Sequence, residues 1–152
     1  MNSEEDRFPI LLRGAWFGLN KAFRERISGL GLTTSQYTIL RSLSENPGIS
    51  QEVLCKMIGG NKNNASAVVK RMVTSGLIDK KRRNDDKRAF ALYLSENGKG
   101  IFEEAVLLAT TLRQDVLTKL PACSEEELIY LLNKCAVGEK VCAWAYSFFF
   151  AD

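Results

Sequence analysis

The chain has 152 residues, 45% of them hydrophobic and 26% charged, with four cysteines, no histidine and a formal net charge of +3. That length suits one domain with a real core, and no apolar run reaches the ~18–20 residues of a membrane span, which argues against a membrane protein. The missing histidine removes the commonest general base, and the cysteines at 55, 123, 135 and 142 form no CxxC pair, so acid–base catalysis and a zinc site are both disfavoured.

The N-terminus, "MNSEEDRF", is acidic and lacks the apolar stretch of a signal peptide, so a cytoplasmic location with reduced thiols is expected. From Phe8 to about Leu30, Phe8, Leu12, Ala15, Trp16, Leu19, Phe23 and Ile27 recur at helical spacing. "GLGL" breaks that helix. Thr33 then opens a second one, with Gln36 three residues on as a capping box and Tyr37, Leu40 and Leu43 as its core stripe. "ENPG" stops it.

Ser50 reads as the next N-cap, before a short helix from Gln51 to Ile58 expected to bury Val53, Leu54 and Met57. "GGN" turns the chain into a further helix, roughly Lys62 to Ser75. Its apolar face is Ala65, Val68, Val69, Met72 and Val73, and Gly76 is its C-terminal cap.

Leu77 to Arg82 and the alternating run around Phe90, Leu92 and Leu94 pair as a hairpin with a charged tip. Ser95 caps a long helix carrying Ile101, Phe102, Ala105, Leu108, Leu112 and Val116 inward, and Pro121 ends it. Ser124 and Glu127 form a second capping box. The last helix carries Leu128, Leu131, Cys135, Gly138, Cys142, Ala145 and Phe149 in steps of three and four, a seam for a partner helix.

Short helix, turn, helix and hairpin in that order read as a helix-turn-helix followed by a wing. Charge singles out the same two elements. Residues 61–90 hold nine Lys/Arg against three Asp/Glu, a net +6, whereas residues 1–60 carry +1 and residues 91–152 carry −4. A merely solvated face has no reason to place cations there, whereas a nucleic-acid surface does, because Lys and Arg release counterions from phosphate.

Three stretches carry a resemblance: "LTTSQYTILRSLSENPGIS" (32–50), "NASAVVKRMVTSGLIDKKRR" (64–83) and "DDKRAFALYLSENGKGIFEEA" (85–105). The last holds a wing pattern of Asp, any residue, Arg, a small residue, a strand and Leu-Ser-x-x-Gly, here Asp86, Arg88, Ala89 and "LSENG" at 94–98. With these the chain resembles the MarR (multiple antibiotic resistance regulator) family of bacterial winged-helix transcription regulators. The resemblance implies a mainly α (α+β) fold in one unit over 1–152. Its winged helix-turn-helix spans 32–95, between dimerisation helices at 7–30 and 96–150. It also implies a cytoplasmic homodimer on a pseudo-palindromic operator in double-stranded DNA, usually a repressor released by a small aromatic or lipophilic effector or by thiol oxidation. No enzymatic activity, cofactor, metal or membrane partner is expected. The oxidation-sensing branch places its reactive Cys in the first helix, and "LRGAWFGL" (12–19) has none.

On that reading Asn63, Asn64, Ser66 and Lys70 lie on or beside the solvent side of the recognition helix. Asn there pairs bidentately with adenine, and Lys reaches guanine or phosphate. Lys62, Arg71, Arg82 and Lys87 suit phosphate, which fixes register without reading sequence. Arg88 is expected to enter the minor groove, and Asp86, two residues earlier, to hold its guanidinium in one orientation. Trp16, Phe17, Phe23 and Tyr37 are candidates for an effector cavity between the dimer helices and the winged part. Two rival readings share the fold: an architectural DNA binder without effector, and a protein-interaction module that has left DNA behind.

Overall fold

A computed structural model of the protein describes residues 7–57, 62–83, 90–120 and 125–135, with backbone alone at 62–64, 133 and 135. Helix α1 (Phe8–Ile27) starts with a proline in its first turn and buries only Phe23 and Ile27. A 3-10 turn (Ser28–Leu30) and a left-handed Gly31 redirect the chain. Helix α2 (Thr34–Glu45) begins on the expected capping box. Thr33 Oγ1 accepts from the Gln36 N–H at 3.2 Å, and Gln36 Oε1 accepts from the Thr33 N–H at 2.9 Å. Such a cap contributes about 1 kcal/mol by satisfying donors the helix leaves orphaned.

Helix α2 is the hub. It packs against α1, α3, α4, α5 and β2 and is buried continuously from Tyr37 to Leu43, wider than the three-residue stripe expected from spacing. Helix α3 (Gln51–Met57) starts where Ser50 Oγ accepts from the Val53 N–H at 3.2 Å. It buries Leu54 and Cys55, but Val53 is 44% exposed and Met57 only half-buried, both contrary to expectation. Leu54 and Cys55 set the inward side of this helix, and Val53 lies about 100° further round from Leu54, away from Cys55, so it points to solvent.

Helix α4 (Lys62–Thr74) inserts Ala65, Val69 and Met72 into the core. It ends as the sequence predicts, on Gly76 at φ +73°. The Gly76 N–H donates to the Val73 carbonyl and the Leu77 N–H to the Met72 carbonyl, the paired bonds of a Schellman cap. Strands β1 (Ile78–Arg82) and β2 (Phe90–Leu94) are antiparallel, with Ile78 opposite Leu94 and Arg82 opposite Phe90.

A third line of pairing has no counterpart in the spacing of the sequence. Ser50 bridges Ala91, the Gly48 N–H donates to the Leu92 carbonyl at 2.9 Å, and the Leu92 N–H donates to the Ile49 carbonyl at 2.9 Å. Simple alternation would expose Ala91. It is buried, because the chain at 48–50 runs alongside it.

Helix α5 (Glu96–Leu117) begins where Ser95 Oγ accepts from the Gly98 N–H at 2.9 Å. Its Ala105 and Leu112 enter the core, with Ile101, Phe102, Leu108 and Val116 packed at the margin. Arg26 pairs with Asp115 between α1 and α5. Arg113 lies 3.3 Å from Glu125, on helix α6 (Glu125–Cys135). Pro121, the Ser124 cap and the seam positions Gly138, Cys142, Ala145 and Phe149 lie outside the described residues. The result is the winged helix-turn-helix fold, mostly helical, with one small sheet among the described residues.

Large apolar side chains stay uncovered at both ends of the helical framework. Phe8, Ile10, Leu11, Trp16 and Phe17 of α1 are exposed, as are Leu107 of α5 and Tyr130 and Leu131 of α6. A monomeric soluble domain rarely leaves so many large apolar side chains of its helices uncovered without a partner.

Candidate nucleic-acid interface

The interface is built on α4 and the hairpin, two consecutive elements seated on one core. Ala65, Val69 and Met72 anchor α4 inward, and on its other side Ala67, Lys70, Arg71 and Thr74 are exposed. Lys62, Asn63 and Asn64 fall in the first turn of this helix, where only the backbone is described. Ser66 stands beside the solvent side of the helix. It is half-buried, and its Oγ accepts from Gln51 Nε2 at 2.8 Å, tying the start of α3 to α4. The packing of one helix of the motif on the other takes up this hydroxyl. Nothing in the spacing of the sequence pairs residue 51 with residue 66.

Between residues 65 and 83, Lys70, Arg71, Lys80, Lys81, Arg82 and Arg83 are all exposed, against one exposed carboxylate, Asp79. Six cations and one anion on two adjoining elements make a surface suited to a polyanion. The wing base is tied down on several sides. Strand β1 pairs with β2, the 48–50 segment pairs with β2 from its other side, and Ser95 Oγ donates to the Gly76 carbonyl at 2.6 Å. The end of α4, the root of the wing and the start of α5 therefore meet at one clasp. Arg82 is the last residue of β1, while Asp86, Lys87 and Arg88 lie outside the described residues.

Aromatic rings sit among the cations. Lys80 Nζ lies 4.4 Å from the centroid of the Phe90 ring and Arg82 Cζ 5.8 Å from the same centroid. Lys81 Nζ lies 5.4 Å from the Tyr93 ring. By periodicity alone Phe90 is a strand residue and nothing more. Its place opposite Arg82 and diagonal to Lys80 was the available signal.

The four aromatic candidates for an effector cavity separate into two pairs. Phe23 and Tyr37 are buried and pack edge to face, centroids 4.8 Å apart, with Phe102 beyond at 5.8 Å from Tyr37. The Tyr37 hydroxyl accepts from Arg41 Nη1 at 3.3 Å, and Arg41 Nε donates to Glu45 at 3.0 Å. Burial pushes the Tyr37 phenol above its ordinary pKa, with Arg41 opposing the shift. Trp16 and Phe17, by contrast, are 54% and 57% exposed on the first half of α1, with the Arg13 guanidinium 5.4 Å from the Phe17 ring. In the single chain the two pairs do not line one wall.

Among the described residues no group of three or more His, Cys, Asp or Glu could hold a metal ion, and no helix is long and apolar enough to cross a membrane.

Comparison with known proteins converges on one group. The model of the MarR family matches residues 30–89, which run from the end of the 3-10 turn before α2 to just short of β2. The transcriptional regulator HosA of Escherichia coli O157:H7 is 27% identical over 103 residues, covering 68% of this chain and 76% of HosA. Among solved structures, the transcriptional repressor CouR bound to a 23-mer DNA duplex superposes with a TM-score of 0.76 at 25% identity, covering 90% of this chain and 94% of CouR. Bordetella bronchiseptica BpsR, whose DNA binding is regulated by 6-hydroxynicotinic acid, superposes with a TM-score of 0.75 at 21% identity, covering 91% and 99%.

Proposed function

We propose, from the premise that this chain belongs to the MarR family of winged helix-turn-helix transcriptional regulators, that it binds double-stranded DNA as a cytoplasmic homodimeric repressor and is not an enzyme. The observation that carries this reading is the joint one on α4 and the wing: six exposed cations against one carboxylate, on two elements locked together at the Gly76–Ser95 clasp. Helix α4 enters the major groove, with Asn63, Asn64 and Lys70 toward base edges and Lys62 and Arg71 toward phosphate. The wing follows the backbone through Arg82 and Lys87, and Arg88, oriented by Asp86, reaches the minor groove.

Dimerisation through α1, α5 and α6 covers Trp16, Phe17, Leu107 and Leu131, the apolar side chains the single chain leaves exposed. It sets two α4 helices about one DNA turn apart, ~34 Å, on inverted half-sites. A small aromatic or lipophilic effector releases the operator by favouring a dimer arrangement of different half-site spacing, which requires different affinity for the two arrangements. HosA, CouR and BpsR are regulators, and the last is tuned by an aromatic acid, which supports this class of effector. Retention of duplexes from a random library by the full chain, followed by sequencing, tests the proposal. An inverted repeat is the expected result, and a retained pool indistinguishable from the input would overturn it.

A further inference from the structure

Side chains on β1 alternate between the two faces of the hairpin. One face carries Ile78, Lys80 and Arg82, with Leu94, Leu92 and Phe90 opposite them. At its base this face is core: Ile78 and Leu92 are buried in the cluster that also holds Val69 and Met72 of α4. Farther out the core gives way. Lys80 and Arg82 are exposed and Phe90 is half-buried, with one ring close to both cations, at 4.4 Å and 5.8 Å. A Phe placed there only to fill a core would have apolar neighbours across the pair, whereas Phe90 has Arg82 opposite.

A cation near an aromatic ring is attracted by the negative face of its quadrupole. Contact with the ring leaves the outer N–H groups of a guanidinium or ammonium free for phosphate. It also removes side-chain freedom that long cations otherwise lose only when DNA arrives.

We propose that Phe90 is a positioning residue of the wing, holding Lys80 and Arg82 ready for the phosphate backbone. The proposal rests on the DNA-binding reading above and assigns a role within it to a residue that carries no charge. The opposite outcome is physically possible: a ring that competes with phosphate for the two cations would weaken binding, and its removal would strengthen it. The sign therefore decides.

The test uses the full chain and a duplex retained by the wild type, with Phe90→Leu, Phe90→Tyr, Lys80→Ala and Arg82→Ala, and Phe90→Leu in the Lys80→Ala/Arg82→Ala background. Phe90→Leu is expected to weaken binding about three- to tenfold, from two exposed cation–π contacts. Phe90→Tyr, which keeps the ring, is expected to restore wild-type affinity, and the Phe90→Leu penalty is expected to vanish once both cations are gone. In the DNA-free protein the Lys80 ε-proton resonances are expected upfield of free lysine and returned by Phe90→Leu, a readout that a packing role alone would not move. Unchanged or tighter binding by Phe90→Leu, or a penalty that persists without the two cations, would overturn the inference while leaving DNA binding intact. Failure of the wild type to retain any duplex would overturn both.

Discussion

Gly98 is the position where one methyl group should do most damage. A Cβ there would overlap the Leu77 carbonyl oxygen, stand 3.0 Å from its carbon and lie 3.2 Å from Ser95 Oγ. The obstacle is backbone and cannot swing away. It belongs to the residue that closes the cap of α4 and accepts the Ser95 N–H at 3.2 Å. Relieving the overlap must separate the start of α5 from the end of α4. Overpacking of this kind costs about 1–3 kcal/mol. Weakening the two bonds that Ser95 makes to Gly76 and Leu77 adds up to about 1 kcal/mol each. The intrinsic helix preference for Ala over Gly returns about 1 kcal/mol. Gly98→Ala is therefore expected to destabilise the fold by about 2 kcal/mol, a fall in Tm of roughly 5 °C at this chain length. Gly100→Ala is the control. It lies two residues on in the same helix with nothing within 4 Å of an added Cβ, so it should hold Tm level or raise it. Circular dichroism melts at one fixed protein concentration compare the three proteins, since association also moves Tm. A Gly98→Ala melt at or above the wild type would refute the account of the clasp.

Three further expectations concern the wing tip, the dimer and the core. Arg88→Ala should weaken operator binding even with intact major-groove contacts. Asp86→Ala should weaken it too if Asp86 orients Arg88, and tighter binding at unchanged stability would reduce Asp86 to charge balance. Sedimentation at micromolar concentration should give a dimer for the wild type and a shift toward monomer for Trp16→Glu and Leu107→Glu; wild-type monomer alone would contradict the interface. Burial raises the Tyr37 phenol above its ordinary value. Between about pH 10 and that raised value the unfolded chain has released a proton that the folded chain retains, so stability falls as pH rises there. The stability difference between wild type and Tyr37→Phe, from urea melts, should therefore decline above about pH 10, and a constant difference would remove Tyr37 from the alkaline transition.

What the sequence disclosed was mostly local. Thr33 and Gln36 lie three residues apart, as do Ser95 and Gly98, and Gly76 follows the last residues of its own helix, so a short window holds each of these caps entire. That β1 and β2 pair as a hairpin was legible because the two runs lie close along the chain, whereas the register between them was not. The pairing of Ser50 with Ala91 and the bond from Gln51 to Ser66 cross 41 and 15 residues. No periodicity reports such contacts, and they are what bury Ala91 and engage the Ser66 hydroxyl. Val53 was misplaced because a two-turn helix is too short for its apolar face to be read from spacing. Phe23 and Tyr37 looked like candidates for a cavity wall because an aromatic at helical spacing reads the same whether it meets a ligand or another ring, and here they meet each other and Phe102. The basic interface was legible as a charge block. The aromatic rings that support its cations were not, because only the register sets Lys80 and Arg82 over Phe90.

The most direct measurement of the central claim is the affinity of the full chain for a selected inverted-repeat duplex, and for a scrambled one, across salt. If α4 and the wing of both protomers contact phosphate at roughly six to ten points, affinity should fall about 10³- to 10⁵-fold between about 50 and 200 mM salt. The selected duplex should remain far tighter than the scrambled one throughout, with two chains bound per repeat. Binding that is independent of salt, or no retention of either duplex at the lowest salt, would contradict a DNA-binding regulator and leave the basic surface to another partner.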